Sequence, residues 1–313
     1  MVVDGVSSDA RLHVVTGKGG TGKTTVAAAL AIALAAGGQR VLLMEVEGRQ
    51  GIAQLFDVPP LPYEERRVAV APHSGDVFAL AVDPEEALRE YLEMYYHLGR
   101  ASKALRKIGA VEFATTVAPG VRDVLLTGKA YEAVRRRSGS HPSYDAVVLD
   151  APPTGRITRF LNVNSEVAGL AKVGPIRRQA DAIMGLLRSP QTAVHLVTLL
   201  EEMPTQETID GITSLQAAGL PVGTIIVNQV RTPALRASAL QAAAKGALDR
   251  NEVAAGIAAA GLQGHVGLVD ALMLEASDHA ERVRLERAER RRLRAIDQPM
   301  LELSWQPDGI DLS

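Results

Sequence analysis

Four glycines, two lysines and two threonines fill the eight positions Gly17-Lys18-Gly19-Gly20-Thr21-Gly22-Lys23-Thr24. Their spacing is that of the phosphate-binding loop G-x-x-x-x-G-K-[ST]. Without Cβ atoms, the glycines let successive N–H groups turn toward one anion, and the helix that follows adds its partial positive charge. Lys23 is placed to neutralise β- and γ-phosphates, and the Thr24 hydroxyl to ligate Mg²⁺. Gly17, Gly19, Gly20, Thr21, Gly22, Lys23, Thr24 and the adjoining Thr25 are therefore candidate contacts for a nucleoside triphosphate. Much further along, Asp150 ends the apolar run Ala146-Val147-Val148-Leu149. An acid at the carboxyl end of a buried strand is where an open α/β sheet holds the Mg²⁺ of a bound nucleotide. Thr24 and Asp150 are the candidate metal ligands.

Elements of alternating type must carry these groups. Leu12–Thr16 reads as a buried strand and Thr25–Ala36 as a helix, the context that turns a glycine-rich string into a phosphate-binding loop. Gln39–Glu45 reads as a second strand and Val77–Val82 as a third. Asp83 then caps a helix that has Pro84 in its first position. From Glu85 to Arg137 there is no strand signal: Ala87–Lys107 is helical, and Pro119-Gly120 opens a helix through Val121, Val124, Leu125 and Tyr131 that ends at Arg135-Arg136-Arg137. Tyr144–Asp150, Ala193–Thr198 and Val222–Asn228 are further strands, and a last one is expected near Gly264-His265-Val266. Helical patterns span Val167–Leu187, broken at Gly174-Pro175, then Leu235–Ala260 and the charged Asp278–Ile296. Such alternation predicts an α/β fold: a mostly parallel sheet of the P-loop NTPase kind with helices on both faces. The chain is read as one domain, 1–313, with residues 85–137 as an inserted helical subdomain.

Composition narrows the function. The formal net charge of −2 argues against a general nucleic-acid binder. There is no cysteine, which excludes disulfides, thiolate zinc sites and cluster-bearing reductases. Hydrophobic residues make up 47% but aromatics only 4%, so helices are expected to pack through small side chains. The N-terminus shows no signal-peptide pattern. No stretch is apolar enough to span a bilayer. A cytoplasmic protein without direct membrane insertion is expected.

The stretch Asp150-Ala151-Pro152-Pro153-Thr154-Gly155-Arg156-Ile157-Thr158-Arg159-Phe160-Leu161 resembles the switch II motif D-T-A-P-T-G-H-T-L-R-x-L. That motif belongs to the arsenite-pump ATPase (ArsA) and tail-anchored-protein targeting family. Val82-Asp83-Pro84-Glu85 resembles that family's I-D-P-x, Pro119-Gly120-Val121 its P-G-x-x-E, Asn228-Gln229 its N-Q, and Trp305-Gln306-Pro307-Asp308-Gly309 its tail. Together, in order, these cover nearly the whole chain, and bacterial anion-transporter ATPase homologues resemble it most. The resemblance implies ATP and Mg²⁺ as cofactors. It makes Lys18 a signature lysine reaching a partner subunit's nucleotide, Pro153 part of a γ-phosphate sensor, and Asn228, Gln229 and Pro307 contacts of the adenine. It implies a homodimer or a heterodimer with a paralogue, binding ATP and ADP, with an anion or membrane-protein client.

Switch I departs from the pattern D-P-A-H-x-L-x-D-x-F. With Ile52 and Phe56 setting the register, Glu47 takes the place of the first aspartate and Gln54 that of the second, which aligns the attacking water. Gln54 can orient water but cannot accept a proton at neutral pH, so Glu47 or Glu45 is a candidate substitute. Lys18, Lys23, Glu47 and Gln54 form the expected catalytic set of a slow ATPase. Leu92, Met94, Tyr95, Tyr96 and Leu98 form a stripe that suits a core better than a client groove. A non-hydrolysing ATP-sensing subunit and a MinD- or ParA-type positioning ATPase are the alternatives. The tail after Pro299 carries neither the membrane helix nor the basic face those last two need.

Overall fold

A computed structural model of the chain describes residues 10–96, 120–170, 175–262 and 267–307. Its elements run β1 (Leu12–Gly17), α1 (Lys23–Ala35), β2 (Arg40–Glu45), α2 (Gly51–Leu55), β3 (Arg66–Ala71), β4 (Gly75–Ala81) and α3 (Pro84–Tyr96). There follow α4 (Val121–Arg135), a two-strand hairpin β5 (Arg137–Ser138) and β6 (His141–Pro142), β7 (Ala146–Asp150), α5 (Thr154–Leu170) and α6 (Pro175–Leu187). The remainder is β8 (Thr192–Thr198), α7 (Glu202–Ala217), β9 (Val222–Val230), α8 (Ala237–Ala244), α9 (Arg250–Ala259), α10 (Leu268–Arg294) and β10 (Met300–Ser304).

Among the described residues, eight strands form one sheet in the order β10-β9-β8-β1-β7-β2-β4-β3. All pair in parallel except β3, which runs antiparallel to β4. Side chains alternate across the sheet, and the strands are apolar on both faces, as a parallel sheet covered on two sides requires. Val14, Leu42, Met44, Val147 and Leu149 join a core with α4, α5, α6 and α7. Val15, Val41, Leu43, Ala146 and Val148 join the opposite core with α1 and α2. The small side chains Ala27, Ala28, Ala31 and Ala35 let α1 lie close, and Gly75 is needed there: a Cβ on it would stand 1.8 Å from the Ala35 carbonyl oxygen.

The expected mostly parallel α/β sheet with helices on both faces is what the chain forms, but several boundaries move. β3 carries Arg66 and Arg67 and leaves Val70 exposed, as an edge strand does, so its apolar signal is too weak to read locally. The other edge, β10, lies in the stretch read as a tail. The Leu235–Ala260 helix divides into α8 and α9, because Gly246 sits at φ 62° and Asp249 caps a new helix by accepting from the Asn251 N–H at 2.7 Å. The charged helix starts earlier, at Leu268, after Gly267 at φ 81°. Thr154 already opens α5, so Gly155 lies in a helix and not in the loop. Asp83 does cap α3, accepting from Glu85 and Glu86 N–H at 2.9 Å. The strand near Gly264-His265-Val266, the 97–107 part of the first helix, Gly174, Pro119, Asp308 and Gly309 lie outside the described residues. So do the side chains of the Leu92–Leu98 stripe. No helix among the described residues is long and apolar enough to cross a membrane.

Candidate functional site

β1 delivers the chain to the loop and α1 carries it away. Gly17 has to be glycine, since a Cβ would fall 2.2 Å from the Val197 carbonyl oxygen on β8. Inside the loop, Thr21 holds the curve by donating from its N–H and hydroxyl to the Lys18 carbonyl, at 3.3 and 2.9 Å. Gly22 is left-handed, with φ 86°, and offers no side-chain cap to α1. The first N–H groups of α1 are thus not capped by a side chain of this position, which is how a helix N-terminus serves an anion. Gly19 and Gly20 are exposed, and nothing crowds them.

Thr24 and Asp150 meet across 126 residues: the hydroxyl donates to Asp150 Oδ2 at 2.6 Å. Burial pushes the Asp150 carboxyl up to about 6, against the Thr24 hydrogen bond and the Lys23 charge, with Glu45 and Glu47 adding to the rise. Asp150 Oδ1 is buried without a hydrogen-bond partner, as is Glu45 Oε1. Buried carboxylate oxygens are ordinarily paired, so orphans beside a threonine hydroxyl fit an oxygen-seeking divalent cation. Among the described residues no set of three His, Asp or Glu side chains is grouped for a metal, so phosphates and water would complete the shell.

β2, β7 and the P-loop thus bring together one phosphate loop, one hydroxyl and two acids on one face of a parallel sheet. Residues 10–190 match the family of anion-transporting ATPases. The chain belongs to that family. It is 54% identical over 306 residues to the ATPase BagA of Mycobacterium tuberculosis, covering 97% of this chain and 90% of that one. It is 26% identical over 234 residues to the arsenical pump-driving ATPase of Acidiphilium multivorum, covering 69% of this chain and 38% of that one.

The other residues singled out in the sequence have these surroundings. Lys18 does not point freely outward: its Nζ pairs with Glu207 Oε1 of α7 at 2.9 Å. Glu47, just past β2, lies 3.7 Å from Arg49. Gln54 is exposed on α2. α2 itself is docked on the loop, since a Cβ on Gly51 would lie 3.3 Å from Thr24 Cγ2. Thr16 fixes the start of the Asp150–Leu161 stretch by donating to the Pro152 carbonyl at 2.7 Å, and Pro153 lies half-buried at the foot of α5. Asn228 is turned to the loop, where its Nδ2 donates to the Thr21 carbonyl at 2.9 Å and its Oδ1 accepts from Gln229 N–H at 2.9 Å. Gln229 stands at φ 56°. Pro307 is exposed beyond Trp305, whose ring carries the Arg231 guanidinium at 4.5 Å.

Three residues that no motif flagged also belong here. Glu207 holds Lys18. Gly211 lets α5 approach α7, as its Cβ would stand 2.3 Å from Thr154 Cγ2. Arg122, at the start of α4, donates to the Val46 carbonyl between Glu45 and Glu47 at 3.2 Å. Only Gly120-Val121 next to Arg122 carried any sequence signal.

Proposed function

We propose that this chain is a Mg²⁺-dependent ATPase whose nucleotide state moves its helical segments, and that it works as a dimer completed by Lys18. The observation that carries the reading is the Thr24–Asp150 hydrogen bond, because it joins the phosphate loop to the strand-end acid. In this reading Gly17–Thr25 wrap the triphosphate, Lys23 offsets its β/γ charge, and Thr24 and Asp150 hold the cation. Bound Mg²⁺ would draw charge from the phosphate oxygens. Pro153 and α5 sense the γ-phosphate, while Asn228, Gln229 and Pro307 lie toward the base. Arg122 on Val46 ties α4 to the residue just before switch I. Asp123, whose carboxyl is raised by burial and lowered by Arg156, Arg122 and Arg159, puts the start of α4 within electrostatic reach of switch II as well. Both switches thereby bear on one helix of the 85–137 segment. Two proteins of the family with ATPase in their names support the reaction class.

Steady-state ATP hydrolysis with Mg²⁺ tests this. Lys18→Ala should abolish turnover while ATP still binds, and Lys23→Ala should weaken binding itself. Unchanged turnover in Lys18→Ala would refute completion across a dimer. The exposure of Gln54 favours one second reading, an ATP-sensing subunit paired with an active paralogue. That reading holds if wild type binds ATP without turnover and Gln54→Asp gains it.

A further inference from the structure

Glu45 closes β2 and Asp150 closes β7, and the two are register partners on adjacent parallel strands. Along β2, Val41 and Leu43 face the α1 layer; along β7, Ala146 and Val148 do the same. Strand alternation therefore turns Glu45 and Asp150 to that same face, side by side. Both are buried, at 2% and 8% exposure. Each carboxylate spends one oxygen on a neighbour: Glu45 Oε2 accepts the Ile52 N–H at 3.1 Å, and Asp150 Oδ2 the Thr24 hydroxyl at 2.6 Å. Each keeps the other oxygen, Glu45 Oε1 and Asp150 Oδ1, buried and without a partner. Two neighbouring buried carboxyls with matching orphan oxygens repel each other whenever both are ionised and lack the hydrogen bonds that buried polar groups demand.

We infer that Glu45 is a second carboxylate ligand of the divalent cation at this site, and that with Asp150 and Thr24 it lets the chain hold that cation before any nucleotide arrives. The inference rests on the proposed nucleotide site and goes beyond it. An all-oxygen donor set selects the hard cations, Mg²⁺ or Mn²⁺, over zinc or copper. Glu45 also has a mechanical part. Ile52 lies in the first turn of α2, so the Ile52 N–H is one of the donors that a helix start leaves without an intrahelical partner. One carboxylate thus caps α2 with one oxygen and offers the other to the cation. Occupancy of the cation site would then fix α2, and with it Gln54, relative to the phosphate loop.

Mn²⁺ titration of the nucleotide-free protein, followed by electron paramagnetic resonance, tests this. Wild type should take up one Mn²⁺ per chain, displaced by Mg²⁺. Glu45→Gln keeps an oxygen for the Ile52 N–H and should weaken Mn²⁺ binding at least tenfold, whereas Asp210→Asn, an exposed acid on α7, should change nothing. Melting supplies a second readout: in EDTA, Glu45→Gln should melt above wild type, and Mg²⁺ should raise the melting temperature of wild type more than that of Glu45→Gln. No Mn²⁺ uptake by nucleotide-free wild type, or equal uptake by Glu45→Gln, overturns the inference. A higher melting point for Glu45→Gln without Mn²⁺ uptake by wild type also overturns it, leaving the two acids a repelling pair that holds no cation. ATP binding by calorimetry separates the two levels: a wild type that binds ATP but no free Mn²⁺ loses only this inference. One that binds no ATP loses the nucleotide site itself.

Discussion

Asn228 shows how one side chain on a strand can brace a distant loop. Its amide donates to the Thr21 carbonyl, and Gly22 is kept free of a Cβ because one would lie 2.4 Å from Asn228 Nδ2. The phosphate loop is thereby braced from β9, on the far side of β8. A net hydrogen bond of this kind contributes about 1 kcal/mol. Asn228→Ala should therefore speed amide exchange across residues 18–24 about fivefold in the nucleotide-free protein. Exchange unchanged without nucleotide would mean that Asn228 does not brace the loop. Lys18 and Glu45 carry the same lesson, since their partners, Glu207 and Asp150, lie far away in sequence. Nothing in the neighbouring residues announces either pairing.

At the level of strands, β1, β8 and β9 are joined by a buried imidazole pair that belongs to no motif. His195 Nδ1 accepts from the Thr224 N–H at 3.1 Å, so His195 Nε2 carries the proton and donates to His13 Nδ1 at 3.1 Å. His13 Nε2 in turn donates to the Ala10 carbonyl at 3.1 Å. The rings stack 5.4 Å apart. Burial lowers His13 to about 4, partly offset by the Ala10 carbonyl, and burial with the His13 charge lowers His195 to about 3. Both rings are neutral when folded, whereas unfolded histidine titrates near 6.5. Below that value the unfolded chain binds more protons, so stability is lost as pH falls and is fully present above about 7. Two such groups should contribute a loss of about 2 kcal/mol between pH 7 and 5.5. Urea unfolding should show this slope in wild type, and His13→Leu with His195→Leu should flatten it. An unchanged slope in the double variant would assign the pH dependence to other groups.

Across the whole molecule, the Lys18–Glu207 pair links the phosphate loop to α7 within one chain. A lysine that completes a partner's site must leave this contact first. Both side chains are about one-third exposed, 31% and 34%, so solvent screens the pair and its strength is at most about 1 kcal/mol. Glu207→Gln should therefore tighten ATP-dependent association by no more than about fivefold, measured by sedimentation with Mg²⁺ and ATP. Weaker association would instead mean that Glu207 touches the partner.

The amino-acid sequence determined what is local: the phosphate loop from its glycine spacing, the strand and helix types from hydrophobic period, and Asp150 from the apolar run it ends. It also carried the family, because the Asp150–Leu161 motif is one contiguous string. Only the tertiary structure decided which strands are neighbours, and hence that Glu45 stands beside Asp150, that β3 and β10 form the edges, and that Glu207 holds Lys18. Periodicity reports the face on which a side chain lies, but not what packs against that face. Side-chain pairing follows from strand order and register, and these are set by burial summed over the whole sheet.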